Sequence, residues 1–237
     1  MKNNKSPGSD GFPVEFFKFF WKDLGHFILR SINESFDVGE FSCTQRQGII
    51  TCLPKSDRDK HFLKNWRPIT LLNVIYKMAS SCIANRLKKV IDKIVSEEQK
   101  GFIKGRYIGE NVRLIYDIIH ESNNQNLKGL LLVADFEKAF DTMSRDYILE
   151  CLDLFGFGSS LKGWVATLMK NSTALVVQNG HLTNSFPVER GCRQGDPISP
   201  YLFVIGSDIL TRIIKDEKDI QGIKINNSEY LIAQYAD

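Results

Sequence analysis

Two aspartates, Asp135 and Asp237, each follow an apolar run in the 237-residue sequence. Asp135 ends the continuous run GLLLVAD, which is typical of a buried strand, and Asp237 ends a second strand-like stretch that closes with QYAD. Neighbouring strand ends can bring two carboxylates close together, and a hard divalent cation with oxygen ligands relieves their repulsion. Such an ion commonly serves phosphoryl transfer. The simpler alternative is that Asp135 caps a turn and Asp237 lies on the surface.

The elements that would position these carboxylates are clearest in the second half of the chain. From Leu130 onward the pattern predicts a strand, helices, a hairpin around Asn179-Gly180, a helix opened by Ser199-Pro200 and a last hairpin. This order resembles a split β-α-β plan, in which an antiparallel sheet is backed by helices. In the first half the run GIITCLPK predicts a short strand. Helical periodicity is found over residues 16–33, 71–95 and 109–121.

Composition excludes several classes of protein. The chain is 43% apolar and 25% charged, as expected of a globular domain, and no stretch approaches the ~20 apolar residues that a membrane span needs. Its 5 cysteines and 4 histidines are scattered without metal-ligand spacing, which argues against a disulfide framework or a zinc site and favours a reducing intracellular compartment. The net charge of +3 permits a polyanionic partner.

The two aspartates belong to a longer series of short motifs that follow one another along the sequence. DFEKAFD begins at Asp135, RQGDPISP at Arg193 and YAD at Tyr235. Upstream lie KSPGSDGFP, LPK, NWRPITLLN, ANRL and QKGFIKGR. Together these motifs resemble reverse transcriptases, and more narrowly those of LINE-type, non-LTR retrotransposons. The resemblance covers nearly the whole chain, and YAD matches the beginning of a Tyr-Ala-Asp-Asp motif within which the sequence is expected to be truncated.

The resemblance implies an α+β fold made of the fingers and palm of a right-hand polymerase. The palm would be an antiparallel sheet backed by helices, with the split β-α-β topology of ferredoxin-like and RRM-like domains. Residues 1–125 would form an N-terminal extension and the fingers. Residues 126–237 would form an incomplete palm, with no thumb following it.

The family's metal ligands match three positions of this sequence. Asp135 and Asp237 would be the catalytic carboxylates, and the backbone carbonyl of Phe136 would supply an additional oxygen. Two Mg²⁺ ions are expected, with Mn²⁺ as the alternative.

A second set of matched positions would bind the incoming deoxynucleoside triphosphate. Lys55 and Arg67 match the fingers residues that hold the triphosphate, and an ammonium and a forked guanidinium suit separate phosphate oxygens. Phe140 matches the aromatic steric gate that excludes a 2′-hydroxyl. Gln194 and Gly195 match the platform under the new base pair, whereas Asp196 is given no role because that position varies in the family.

Basic residues accumulate between Arg86 and Arg113, where acidic residues are fewer. A positive groove there would bind a phosphate backbone without reading sequence. Lys104 and Arg106 lie inside a family motif and, with Arg86, are predicted to contact nucleic acid. The alternative is an ordinary solvated helix face.

The predicted activity is therefore RNA-directed DNA synthesis, in which dNTPs are added to a DNA primer 3′-hydroxyl on an RNA template. The family acts on nuclear DNA, with a cytoplasmic ribonucleoprotein as the other location, and no membrane is involved. Endonuclease and thumb regions are expected elsewhere in a longer polyprotein. In this fragment the activity is expected to be weak or absent. One alternative is a catalytically dead nucleic-acid-binding remnant of a transposon. The other is an RNA-dependent RNA polymerase, against which the aromatic residue at Phe140 counts.

Overall fold

The computed structural model describes residues 1–56 and 58–235. It forms two compact units, one made of Met1–Asn85 with Phe140–Ser199 and the other of Arg86–Ala139 with Pro200–Asp237. The α+β class is confirmed. No helix in the described ranges is both long enough and apolar enough to cross a membrane.

The helices and strands follow one another in chain order. The helices are α1 (Val14–Phe19), α2 (Trp21–Val38), α3 (Cys43–Arg46), α4 (Val74–Leu87), α5 (Ile91–Ile94), α6 (Ile108–Asn124), α7 (Ala139–Thr142), α8 (Arg145–Leu154), α9 (Ser159–Met169) and α10 (Ser199–Asp216). The strands are β1 (Gln47–Pro54), β2 (Trp66–Leu72), β3 (Thr173–Gln178), β4 (His181–Leu182), β5 (Phe186–Pro187), β6 (Ile223–Ile225) and β7 (Ser228–Tyr230).

The first unit contains a five-stranded sheet in the order β2-β1-β3-β4, with β5 also on β3. β1 and β2 are antiparallel, whereas β1 and β3 are parallel. The sheet is therefore mixed rather than antiparallel throughout, which the long connection between β1 and β3 makes possible. The predicted hairpin at Asn179-Gly180 is confirmed, because Gln178 pairs directly with His181.

Helices pack around a shared apolar core in the first unit. Val14 and Phe17 of α1, Ile28 of α2 and Val74 of α4 are all buried in it. The helix predicted over residues 16–33 is in fact two helices, because the chain turns at Phe20, where φ is −92° and ψ is 18°. That turn lets both helices contribute to one core.

The helix predicted from residue 71 begins later than expected. Leu71 and Leu72 belong to β2, where they pair with Ile49 and Gly48, and α4 starts only at Val74. The cross-strand hydrogen bonds outweigh the helical spacing of these leucines, as tertiary context often does.

The second unit contains the β6–β7 hairpin, which confirms the last predicted hairpin in a shorter form. The strand predicted in the apolar run before Asp135 is wrong, since residues 127–136 have no regular secondary structure. Leu130, Leu132 and Val133 are 88%, 82% and 82% exposed. A strand needs a neighbour to satisfy its N–H and C=O groups, and in the described residues the two-stranded sheet of this unit pairs β6 only with β7.

Candidate nucleotide and metal site

The tip of the β1–β2 hairpin carries two of the predicted nucleotide-binding residues. The Lys55 N–H donates to the Asn65 carbonyl oxygen at 2.8 Å, so pairing continues past the end of β1. Leu53 pairs with Arg67, and side chains alternate along a strand, so Lys55 and Arg67 share one face. Arg67 is exposed, while the Lys55 Nζ donates to the Lys64 carbonyl oxygen at 3.1 Å. The hairpin thus carries two cations on one face.

The loop that leads into α10 holds Gln194 and Gly195 against β2. The Thr70 N–H donates to the Gln194 carbonyl oxygen at 2.9 Å. Gly195 has a φ of +105°, and a Cβ added there would lie 2.6 Å from the Thr70 carbonyl oxygen. Only glycine permits both the backbone angle and the close approach. Because Thr70 lies on the same strand as Arg67, the loop and the hairpin cations are joined through β2.

Phe140 lies against the beginning of the same loop. The Cys192 N–H donates to the Phe140 carbonyl oxygen at 2.6 Å. Gly191 has a φ of +82°, and a Cβ there would lie 2.7 Å from that oxygen and 2.8 Å from the Asp141 Cα. The Phe140 side chain is half-buried. All the predicted nucleotide-binding residues therefore belong to the first unit and are connected through the β2 backbone and this loop.

A buried polar cluster lies under the loop. Asp196 accepts hydrogen bonds from the hydroxyls of Ser80 and Tyr76, both on α4. The Arg193 guanidinium lies over the Tyr76 ring, 4.4 Å from its centroid, and 3.8 Å from an Asp196 carboxylate oxygen. Burial raises the pKa of the Tyr76 hydroxyl, so this group stays protonated and donates. Burial also raises the pKa of the neighbouring Cys192 thiol to about 12, which keeps it neutral.

Two of the predicted metal ligands, Asp135 and Phe136, lie in the second unit. Asp135 and Phe136 are exposed, in the irregular stretch of residues 127–136, and Asp237 lies outside the described residues. A carboxylate and a backbone carbonyl are hard oxygen donors, which suit Mg²⁺. Within residues 1–56 and 58–235, no three His, Cys, Asp or Glu side chains are grouped as a metal site. Asp135 and Phe136 supply oxygen donors of the type that Mg²⁺ takes, on a solvent-exposed stretch.

The chain leading into the terminal QYAD segment is anchored by Gln234. Its N–H donates to the Glu98 carbonyl oxygen at 3.1 Å, and its own carbonyl accepts from the Asn111 amide at 2.8 Å. The Thr211 hydroxyl donates to the Gln234 side-chain oxygen at 2.6 Å. These bonds connect the segment to α6, to α10 and to the turn before residue 100. They fix the course of the backbone directly ahead of the predicted catalytic motif.

The residues predicted to contact nucleic acid differ in whether their charged groups are exposed or already hydrogen-bonded. Arg86 and Lys104 are exposed. The terminal nitrogens of Arg106 instead donate to carbonyl oxygens of its own unit, at Ser96 (2.5 Å) and Gln99 (2.8 Å). They also donate to the carbonyl oxygens of Asp92 in α5 and of Val95 directly after it. This geometry favours a loop-stabilising role for Arg106, because its terminal donors are already engaged.

Sequence reasoning missed the buried polar cluster. Asp196 received no role, and Tyr76 and Ser80 lay unnoticed within a predicted helix. A signal was present: the two polar residues are spaced i, i+4, which places them on one helix face. Buried polar groups need partners, so a carboxylate or a cation opposite that face could have been expected.

Comparison with known proteins places this chain in a family. Residues 53–237 match the model of the reverse transcriptase (RNA-dependent DNA polymerase) family. The match covers most of the chain, which therefore belongs to the reverse transcriptase family.

Individual relatives come from retrotransposons. The chain is 34% identical over its full length to the uncharacterized 149 kDa protein of transposon TX1 from Xenopus laevis, of which it covers 18%. It is 29% identical, over 79% of its length, to a Pol polyprotein of retrotransposable element R2 from Popillia japonica, of which it covers 26%. It is 24% identical, over 98% of its length, to the RNA-directed DNA polymerase from mobile element jockey of Drosophila melanogaster, of which it covers 25%. The resemblance to non-LTR retrotransposon enzymes is confirmed, and the chain spans about a quarter or less of these relatives.

Proposed function

We propose that this chain adds deoxynucleotides to the 3′-hydroxyl of a DNA primer on an RNA template. One observation carries the proposal, beside membership of the family. Lys55, Arg67, Phe140, Gln194 and Gly195 belong to one unit and are connected through β2 and the loop that precedes α10. Two cations, an aromatic ring and a glycine-bearing loop are the groups that a nucleoside triphosphate needs.

Each of these residues has a distinct role in the proposal. Lys55 and Arg67 neutralise phosphate oxygens of the triphosphate, the lysine as a point charge and the arginine as a fork. Gln194 and Gly195 support the new base pair, since Gly195 has no side chain to hold it away. Phe140 fills the space that a 2′-hydroxyl would occupy, which selects deoxynucleotides.

The carboxylate of Asp135, the carbonyl of Phe136 and the carboxylate of Asp237 would hold two Mg²⁺ ions, or Mn²⁺ in their place. When bound, such a metal pair lowers the pKa of the attacking hydroxyl and stabilises the leaving pyrophosphate. Arg86 and Lys104 contact the phosphate backbone of template or primer, in a way that weakens as salt rises.

The larger context of the chain is part of the same proposal. The relatives are several times longer than this chain, which leaves room for thumb and endonuclease regions in a full-length polyprotein. Residues 1–125 supply the N-terminal extension and fingers, and residues 126–237 supply the palm. The site of action is nuclear DNA, with a cytoplasmic ribonucleoprotein as an earlier stage.

A second candidate is nucleic-acid binding without catalysis. The irregular stretch at residues 127–136 favours it, because Asp135 lies there exposed to solvent and outside any helix or strand. The two candidates share the predicted nucleic-acid contacts of Arg86 and Lys104 and differ only in whether the chain extends a primer.

Primer extension separates these candidates. The chain is incubated with an RNA template, a DNA primer, dNTPs and Mg²⁺, and it is compared with Asp135→Asn and with the control Asp219→Asn, an exposed aspartate of the same unit. We expect weak extension by the chain and the control, and none by Asp135→Asn or after EDTA. Salt-dependent RNA binding should be equal in all three proteins.

The outcomes are distinct. RNA binding without any extension by the unsubstituted chain supports the binding remnant instead. Full activity of Asp135→Asn contradicts the assignment of Asp135, and loss of both binding and extension contradicts both candidates.

A further inference from the structure

We infer that Asp196 is a positioning residue for the Gln194-Gly195 loop, which it holds in place for the incoming nucleotide by accepting hydrogen bonds from α4. The inference rests on the proposed function of that loop. It gives a role to a residue that does not itself touch the nucleotide.

The Asp196 side chain is 5% exposed, so its carboxylate is almost fully removed from water. One oxygen accepts from the Ser80 hydroxyl and lies 3.3 Å from the Ile198 N–H. The other accepts from the Tyr76 hydroxyl at 2.8 Å. Both oxygens therefore have donors, which is what an ionised carboxylate requires in order to be buried.

The direction of these bonds follows from counting protons. The Tyr76 hydroxyl lies 2.9 Å from the Leu168 carbonyl oxygen and 2.8 Å from Asp196, but it has only one proton to donate. Arg193 also reaches the Leu168 carbonyl oxygen, at 3.4 Å. With that oxygen satisfied by Arg193, the Tyr76 proton goes to the carboxylate, where a charge-assisted bond is stronger.

The arrangement fixes the loop at two points. On one side of Gly195, the Gln194 carbonyl accepts from Thr70 on β2. On the other side, Asp196 is held by Ser80 and Tyr76 on α4. Gln194 and Gly195 lie between the two attachments, so their backbone has little freedom to shift. The bend is further closed by the Ser199 N–H, which donates to the Asp196 carbonyl oxygen at 3.2 Å.

The substitution Asp196→Asn tests this role, because it keeps the size of the side chain and removes its charge. One of its terminal atoms becomes a donor that faces a hydroxyl, so Ser80 or Tyr76 loses its acceptor. Released from α4, the loop would move away from its place beneath the nucleotide. The substitution should weaken dNTP binding and leave RNA binding unchanged, since the predicted phosphate-backbone contacts lie elsewhere in the sequence.

The first measurement is the dNTP dependence of primer extension. We expect Asp196→Asn to raise the KM for dNTP by on the order of tenfold, as for the loss of a charged hydrogen bond. Ser80→Ala should raise it less. Ser81→Ala, the same change at the next position of α4, should leave it unchanged, and the RNA Kd should be equal in all variants.

A double substitution separates positioning from general destabilisation. If Asp196 acts through the loop, Asp196→Asn should raise the dNTP KM by clearly less than its own tenfold once Gln194→Ala is present, because part of what the loop contributes is already lost. Additive effects of the two substitutions would overturn the inference. So would a fall in kcat and thermal stability with no change in KM.

Amide hydrogen exchange provides a readout that needs no activity. In Asp196→Asn the Thr70 and Ile198 amides should exchange faster, because both report on the loop, while α8 should be unaffected. If the unsubstituted chain extends no primer but these amides respond, the proposed function fails and the anchoring by Asp196 stands. Unchanged exchange overturns the anchoring. Should Asp196→Asn fail to fold, Ser80→Ala and Tyr76→Phe are measured in the same way.

Discussion

The loop of residues 191–198 and the stretch of residues 127–136 both carry predicted site residues, yet they differ in burial. The loop has no regular secondary structure, but most of it is buried, and it is bonded to β2 and α4. The stretch has the more apolar sequence, and its leucines and valine are largely exposed. Burial therefore does not follow hydrophobicity here.

The difference lies in what each segment demands of its surroundings. Asp196 and Arg193 are costly to bury without partners, so only a conformation that supplies donors and acceptors is acceptable. An apolar segment is stabilised by any contact that removes it from water, so its sequence does not specify which neighbour it packs against. The buried polar groups therefore restrict the conformation of the loop at residues 191–198 more than the apolar side chains restrict that of residues 127–136.

The substitution with the largest expected effect is Gly195→Ala, which tests whether the loop of residues 191–198 is tightly packed. A Cβ at this position would meet the Thr70 carbonyl oxygen at 2.6 Å, on a backbone with φ of +105°. We expect loss of primer extension and destabilisation by about 1–3 kcal/mol, measured by urea unfolding. The control is Gly158→Ala, where φ is −66° and nothing lies within 4 Å of an added Cβ. Equal behaviour of the two variants would contradict the tight packing of the loop.

A smaller effect is expected from Phe140→Val, which tests the other end of the loop. Removal of the ring should admit ribonucleotides, so the ratio of kcat/KM for dNTP to that for rNTP should fall by about tenfold or more. The backbone bond from Cys192 to Phe140 does not depend on the side chain, so stability should change less than selectivity. Unaltered sugar selectivity in competition assays would remove the gate role.

Much of the fold could be predicted from local pattern. The Asn179-Gly180 hairpin is specified by two residues that suit its turn. The helix around Trp164 follows from apolar spacing, whereas the helices around Tyr147 and Leu202 follow from the residues at their N-termini. The break at Phe20 and the extension of β2 to Leu72 could not be predicted, because they depend on contacts made far along the chain.

The candidate site divides in the same way. Lys55, Arg67 and Gln194 could be selected from short motifs, because their family roles are tied to those motifs. The contribution of Asp196 could not, since its two donors lie on α4, more than a hundred positions earlier in the sequence. Arg106 shows the reverse case: its motif suggested a phosphate contact, while its guanidinium donates to carbonyl oxygens within its own unit.

The smallest expected effect tests the exposed stretch. Leu132 is 82% exposed, so Leu132→Ala should change the free energy of unfolding by less than ~0.5 kcal/mol. Leu202, in the same unit, is 2% exposed, and Leu202→Ala should cost about 2–5 kcal/mol through lost burial and a cavity. Both values come from urea unfolding of the chain. If Leu132→Ala lowered the free energy of unfolding nearly as much as Leu202→Ala does, the apolar run before Asp135 would be buried. The predicted strand would then be restored, and with it a firmly held carboxylate at Asp135.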